Sequence, residues 1–432
     1  MQIPEILVIE SLHQPGNLGR VLTVIGECGA LTDHITLVRR DQDKSVWEIT
    51  VEMDEAHSKE IYERFENLPY ASLLGRSDRV FDRHRGGKIE TVSKVALDST
   101  QQMRDLYTPG VARVCLAIQD NPEKVWEYTN LGNTVGIVTN GTAILGLGHI
   151  GAVAGLPVME GKSMIYSKFV GISGVPILLD ETEPAKVIAA VQAIAPSFGA
   201  IHLEDIAAPE CFEIENTLAD TLDIPVMQDD QHGTAVVTLG ALLTATYRVK
   251  KSLDDAVVGH IGLGAAGLGI AQLLLHYGVR QVIGTDKRDS ALDRLEELGG
   301  HRANLDDLMQ KADIVIATTG VKGLIKPEMV RKGQIIFALS NPESEIEPHV
   351  ALAQGAAFAT DGRSVNNALG FPALFRGALD ARAKRFTNAM YLAAAHTLAE
   401  LAPPNELLPH VLDKSVHAAV AAAVKDAALK QQ

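Results

Sequence analysis

No stretch of this chain reaches the roughly 18–20 consecutive apolar residues that a membrane-spanning helix needs, so a bilayer-embedded protein is not expected. Cysteine is scarce. Cys28, Cys115 and Cys211 are odd in number and far apart, which argues against both a disulfide framework and a cysteine-based zinc site. Net positive charge is lacking too: the formal charge is −15 at pH 7, and apart from one short cluster between Arg79 and Lys88 the basic residues are scattered. Nucleic acid and anionic membrane surfaces are therefore poor partners. The opening Met-Gln-Ile-Pro-Glu has no basic-then-apolar signal segment, so a reduced, cytoplasmic protein is expected. Internal repeats are also absent.

What is present is the composition of a soluble globular protein, with 46% hydrophobic and 22% charged residues. At 432 residues the chain is long enough for two or three domains. Residues 4–10 read as a strand, and Gln14-Pro15-Gly16-Asn17-Leu18-Gly19 opens a helix with apolar Val21, Leu22, Val24 and Ile25 that ends at Gly29. Alternating segments near 35–40 and 46–53, joined by a turn at 41–44, a helix over 57–67 and a strand over 77–81 complete a βαββαβ unit. Residues 82–90 are polar and glycine-containing, a linker. From there to about 245, helices alternate with apolar strands such as 135–139, 175–179 and 200–203. Beyond 254 the unit is strand, glycine loop, helix, and the alanine-rich C-terminal segment is helical packing. The expected fold class is α/β, in three domains: 1–82, 83–244 and 245–432.

Two acidic pairs stand where apolar, strand-like runs give way to loops: Glu204-Asp205 after Ile201-His202-Leu203, and Asp229-Asp230 after Val226-Met227-Gln228. In α/β proteins the carboxyl ends of strands are where ligand sites form. Carboxylates converging there suit Mg²⁺ or Mn²⁺, which prefer oxygen ligands. The pairs are equally readable as turn residues and helix caps. Further on, the strand 256–261 runs into Gly262-Leu263-Gly264-Ala265-Ala266-Gly267, a helix follows, and the next strand ends at Asp286. That is the context a dinucleotide loop requires. The glycines let backbone approach a pyrophosphate, and the helix N-terminus stabilises its charge. Asp286 would accept hydrogen bonds from the adenosine ribose and repel a 2′-phosphate, whereas Lys287 and Arg288 could bind one. NAD is favoured, with NADP also compatible.

Three more segments carry a resemblance: Asp105-Leu106-Tyr107-Thr108-Pro109-Gly110; the run from Asn140-Gly141-Thr142-Ala143 to Met159-Glu160-Gly161-Lys162; and Leu339-Ser340-Asn341-Pro342 with Val365-Asn366-Asn367-Ala368. With the acidic pairs, these resemble the shorter bacterial malic enzymes over about 90–385, while the first eighty or so residues (1–82) resemble an ACT regulatory domain. The resemblance implies metal-dependent oxidative decarboxylation of (S)-malate to pyruvate and CO₂ with reduction of NAD(P). It places the metal on Glu204, Asp205 and Asp230, with Asp229 supporting Lys162 or the metal. Lys162 becomes the base and Tyr107 the proton donor, and Asn341 and Asn367 contact substrate, with Asn341 also beside the cofactor. Taken alone, Lys162 and Lys168 are hard to separate. A buried lysine at 162 would have a depressed pKa and act as a neutral base. Tyr107 unaided reads as a packed tyrosine, the asparagines, Asn366 included, read equally as turn residues, and His232 as a hydrogen-bonded loop residue. Larger malic enzymes grip the substrate carboxylate with an arginine where this chain has Thr142-Ala143; the amides of Asn341 and Asn367 are the expected replacement. Within the fold, a malolactic enzyme is the rival reading; a metabolite sensor on an inactive scaffold is another. An amino-acid effector at the ACT-like unit and a homodimer or higher homo-oligomer are expected.

Overall fold

The computed structural model describes residues 3–53, 55–77, 79–340 and 344–431. The chain divides into two compact units, residues 1–90 and 91–432.

In the first unit β1 (Ile3–Leu12), β2 (Leu31–Arg40), β3 (Lys44–Met53) and β4 (Ala71–Ser77) form an antiparallel sheet in the order β2-β3-β1-β4. Helices Asn17–Glu27 and Glu55–Glu66 complete the βαββαβ order. Strand alternation sets Leu7, Ile9, Ile49 and Val51 against Val21, Ile25, Ile61 and Phe65 of the helices. Gly29, at φ 76°, follows the first helix in the left-handed conformation that glycine adopts without steric cost. The last strand differs from the expected 77–81. It ends at Ser77, because Ala71 to Leu73 pair with Ser11 to Ile9 of β1 and bring Ala71 and Leu73 to the core. Arg79–His84, expected partly as linker, is a short helix.

The second unit holds two parallel sheets. One comprises β5 (Thr134–Thr139), β6 (Ser173–Leu178), β7 (Ala200–Leu203) and β8 (Val226–Gln228), ordered β6-β5-β7-β8. The other comprises β9 (Val257–Ile261), β10 (Gln281–Thr285), β11 (His301–Arg302), β12 (Ile314–Ala317), β13 (Ile335–Ala338) and β14 (Phe358–Asp361). Its order, β11-β10-β9-β12-β13-β14, is the doubly wound one, with the switch point beside β9. The long helix Asp229–Arg248 packs against helices Ala265–Tyr277 and Asn388–Glu400. Its buried Val236 and Leu242 share one core with Ile137 of the first sheet and Val258 and Ile316 of the second. The division expected between 244 and 245 falls inside this helix, and the shared core is why 91–432 forms a single compact unit.

Candidate active site

Parallel pairing puts the acidic pairs side by side. Val138 is in register with Leu203, and Leu203 with Gln228, so Glu204 and Asp229 leave neighbouring strands at the same level. Lys162 approaches from the helix Leu156–Ile165, anchored by a Ser163 hydroxyl that donates to the Gly174 carbonyl at 2.7 Å. Its Nζ lies 2.5 Å from Asp229 Oδ2 and 3.0 Å from Glu204 Oε1, and 4.3 Å from the centre of the Phe371 ring. Lys168 is exposed, so geometry separates the two lysines.

One expectation needs correction. Burial does pull the Lys162 pKa down, but the Asp229 and Glu204 carboxylates outweigh it and hold the pKa above the ordinary lysine value. At rest Lys162 is an ammonium, not a neutral amine. The carboxylates respond unequally. Burial would raise Glu204, yet Lys162 and His202 bring it down to about 2. Asp205, buried beside Glu204, is pushed up to about 7. Burial, with the Glu204 and Asp205 carboxylates beside it, pushes Asp230 well above the usual range, and burial also raises Asp229.

Carboxylate oxygens of Glu204, Asp205 and Asp230 lie within 4.8 Å of one another. Asp205 Oδ2 is buried without a hydrogen-bond partner, and Asp230 is supported by the Gln228 amide at 2.7 Å and the Asp205 backbone N–H at 3.0 Å. An all-oxygen set with excess negative charge and an orphaned oxygen fits a hard divalent cation. His202, Glu204 and Asp229 also cluster within that distance, but the Lys162 ammonium already sits against both acids. Asp205 adopts φ 53°, and Leu145, whose N–H donates to Asp205 Oδ1 at 3.3 Å, adopts φ 43°. Left-handed conformations in non-glycine residues each cost roughly 1–3 kcal/mol, and such strain gathers at functional sites.

At the other sheet, Gly262 has φ 88° and its position against Thr318 and Thr319 leaves no room for a side chain. A side chain on Gly267 would collide with the Gly262 carbonyl, whereas Gly264 faces open space. The helix Ala265–Tyr277 starts without a side-chain cap, which leaves the N–H groups of its first turn, including Ala265 and Ala266, free to meet a pyrophosphate. Asp286 Oδ2 accepts the Leu263 N–H at 2.7 Å. Its Oδ1 accepts the Arg288 backbone N–H at 2.9 Å and Arg288 Nε at 3.2 Å.

Residues 86–219 match the family model for the malic enzyme N-terminal domain, and 231–326 match the NAD-binding domain of D-isomer specific 2-hydroxyacid dehydrogenases. The chain is 50% identical to NAD-dependent malic enzyme 1 of Bacillus subtilis (strain 168) over 98% of this chain and 97% of that one. The chain belongs to the malic enzyme family. A bifunctional malic/malolactic enzyme of the same organism is 40% identical, covering 80% of this chain and 90% of its own length. The crystal structure of malic enzyme from Pyrococcus horikoshii superposes with a TM-score of 0.78 at 38% identity, covering 82% of this chain and 90% of that one.

In this malic enzyme, Asn367 donates its amide to Asp229 Oδ2 at 2.8 Å, while its own Oδ1 is buried without a partner. Asn366 caps the Ala368 N–H, a turn role. Asn341 lies outside the described residues. The Thr142 hydroxyl donates to Asn140 Oδ1 and accepts the Ala207 N–H. His232 bonds Glu215 at 3.1 Å and stacks on Tyr391, a packing role. Tyr107 caps the helix Thr100–Leu106 and is 66% exposed. Sequence reasoning missed His202 and Tyr166, which stand buried behind Glu204, and Arg363, which with Asn366 and Asn367 lines a cleft of about 470 Å³. A basic residue two positions before the Val365-Asn366-Asn367 motif was the available signal for Arg363.

Gly233 faces Asp229 so closely that an added methyl would overlap Asp229 Oδ1 and crowd Asn367 Oδ1. Gly233→Ala should part Asp229 from Lys162 and lower malate-dependent NAD reduction by about 10²-fold, the order expected when a reacting group shifts by an ångström. Steady-state rates beside an unchanged circular dichroism spectrum would test it; wild-type turnover would remove the constraint.

Proposed function

We propose that this chain oxidatively decarboxylates (S)-malate through oxaloacetate to pyruvate and CO₂, using NAD by preference and Mg²⁺ or Mn²⁺ at Glu204, Asp205 and Asp230. The observation that carries this reading is the Lys162 ammonium set between Asp229 and Glu204 beside the orphaned Asp205 oxygen. A divalent cation there would act as a Lewis acid toward substrate oxygens. Lys162 accepts the C2 hydroxyl proton after its own proton has passed to Asp229 Oδ2, whose raised pKa makes it a competent acceptor. A nicotinamide cofactor held by the Gly262–Gly267 loop and Asp286 would supply the acceptor for the C2 hydride. The bond from C3 to its carboxylate then breaks, CO₂ departs, and the enolate takes a proton at C3 from Tyr107; Lys162 reprotonates the phenolate and recovers its own proton from Asp229. Asn367 keeps Asp229 facing Lys162, and Arg363 on the same cleft is a cation available to a substrate carboxylate.

A malolactic reaction would release lactate and leave no net NADH. An inactive sensor scaffold is disfavoured by the retained Lys162–Asp229–Glu204 cluster. The deciding assay is malate-dependent NADH formation with and without Mn²⁺. Lys162→Ala should reduce it by about 10²–10⁴-fold, the usual worth of a positioned acid–base group. Full turnover in that variant would overturn the assignment. Asp205, raised to about 7, is protonated below that pH, and a cation needs the ionised form. Mn²⁺ affinity should therefore fall as pH drops through about 7. In the metal-free protein the folded state holds a proton that the unfolded chain has shed, so this group's stabilising contribution declines as pH rises from the ordinary Asp range to about 7. Thermal unfolding across pH, with and without Mn²⁺, checks the sign.

The preference for NAD rests on Asp286 and on Arg288, whose guanidinium is engaged by Asp286 and by the Leu263 carbonyl at 3.3 Å. NADH should bind about 10–100-fold more tightly than NADPH, as hydrogen bonds to a charged group allow. Fluorescence titration giving equal affinities would reverse the preference.

The segment 91–120 has no buried side chain, yet Val92, Val95, Leu97, Met103, Leu106 and Leu116 are exposed apolar residues. A second copy of the chain covering this surface accounts for them and would shield Tyr107 as well. Light scattering should report a dimer or larger assembly, and Leu106→Glu with Leu116→Glu should shift it to monomer; an unaltered mass would remove this surface from the interface. The βαββαβ unit is proposed to sense an amino acid, since its order is that of an ACT domain and Gly16 leaves open space at the first helix N-terminus. Among the described residues no helix is long and apolar enough to cross a membrane.

A further inference from the structure

Behind Glu204 lies a buried chain of polar side chains that the proposed mechanism leaves unused. Tyr166 Oη is 2.8 Å from His202 Nδ1, and His202 Nε2 is 2.6 Å from Glu204 Oε2. The other oxygen of that carboxylate meets Lys162. Tyr166 and His202 are completely buried, and Glu204 is 3% exposed. Phe375 stacks on the imidazole at 5.3 Å, and the Tyr166 ring stands edge-on to both Phe371 and Phe375. The aromatic walls leave the imidazole little room to turn away.

The direction of the bonds follows from donor and acceptor inventories. An ionised carboxylate only accepts, so His202 donates its Nε2 proton to Glu204. Nδ1 is then bare and accepts the Tyr166 hydroxyl. The two neighbours thereby select one imidazole tautomer. Lys162 and Tyr166 belong to consecutive turns, Lys162 in the helix Leu156–Ile165 and Tyr166 at the start of the π-helical turn Tyr166–Val170. One segment thus grips both oxygens of Glu204: directly through Lys162, and through Tyr166 by way of His202.

We propose that Tyr166 and His202 are positioning residues that hold the Glu204 carboxylate in the orientation where its remaining lone pairs face Asp205 and Asp230. The affinity of the cation site then depends on two side chains that touch neither cation nor substrate. Partners of this kind behind a metal ligand are worth about 10–100-fold in metal affinity. The proposal rests on Glu204, Asp205 and Asp230 forming a cation site.

The experiment titrates Mn²⁺ into the full-length protein, following free Mn²⁺ by electron paramagnetic resonance, with NADH binding measured in parallel. His202→Leu should weaken Mn²⁺ binding about 10–100-fold and leave NADH affinity unchanged. His202→Gln, whose amide still donates to Glu204, should restore most of the affinity; a filler role in the core would give no such rescue. Tyr166→Phe removes one oxygen and keeps the ring, and should weaken Mn²⁺ binding more mildly. It also decides the matter if His202→Leu fails to fold: unchanged Mn²⁺ affinity in Tyr166→Phe then overturns the proposal. Wild-type Mn²⁺ affinity in a folded His202→Leu, or equal loss in Leu and Gln variants, overturns it too. Glu204→Gln separates the two levels. If it retains full Mn²⁺ binding, the cation reading itself fails; if it loses binding while His202→Leu does not, only the positioning role fails.

Discussion

One ammonium set among four carboxylates is the constraint on which the rest of this site depends. Glu204, Asp205, Asp229 and Asp230 converge at the ends of β7 and β8, and Lys162 is the cation that meets them. Buried like charges cannot all ionise without compensation. Lys162 brings Glu204 down by contact, whereas Asp205, Asp229 and Asp230 are held above their ordinary range by burial and by repulsion from Glu204. Protons can relieve that repulsion at low pH, and a divalent cation can relieve it near neutrality. The excess negative charge that makes the cluster costly by itself is what would make it bind a cation.

The fold supplies the rigidity that such a cluster needs. Asp229 and Asp230 open the long helix Asp229–Arg248, where acidic side chains favour the positive end of the helix dipole. The body of that helix is embedded in the core that joins both sheets. Gly233, one turn in, passes beneath Asp229 without a side chain. At the other rim the Asp205 backbone is tied from two directions, its N–H to Asp230 and its carbonyl to the Ala143 N–H. A residue in a left-handed conformation persists only where its surroundings over-determine it, and here they do.

Much of this was legible in the residues. Apolar runs ending in acidic pairs, glycines between a strand and a helix, and an acid at the end of the next strand each encode a local geometry, so 200–205, 226–230 and 256–286 read correctly as strand ends and a glycine turn between strand and helix. The first unit's final strand was displaced because pairing with β1, which no local pattern reveals, selected Ala71–Ser77 over 77–81. His202 and Tyr166 were invisible for a related reason. Each looks like an ordinary strand or helix residue until the packing of the helical turn Tyr166–Val170 on the sheet brings residues 36 positions apart to 2.8 Å. The charge of Lys162 was misjudged because burial was weighed without the two acids that only the fold sets beside it.

Asp286 illustrates why local reading and tertiary function cannot be separated at the nucleotide loop. Its position after β10 makes it the proposed acid for a ribose, and in the folded chain it also carries the loop: one oxygen holds the Leu263 N–H and the other holds Arg288. Those bonds keep its carboxyl below the usual range despite partial burial. A group that shapes the loop and, in the proposed NAD site, would repel a 2′-phosphate would couple cofactor choice to loop geometry. Changing preference toward NADP by removing this acid alone would release Leu263 and Arg288 together, and the freed guanidinium would meet a phosphate only after the loop had lost one of its anchors. Specificity here is a property of the folded Gly262–Arg288 arrangement, and the side chain at 286 is one part of it.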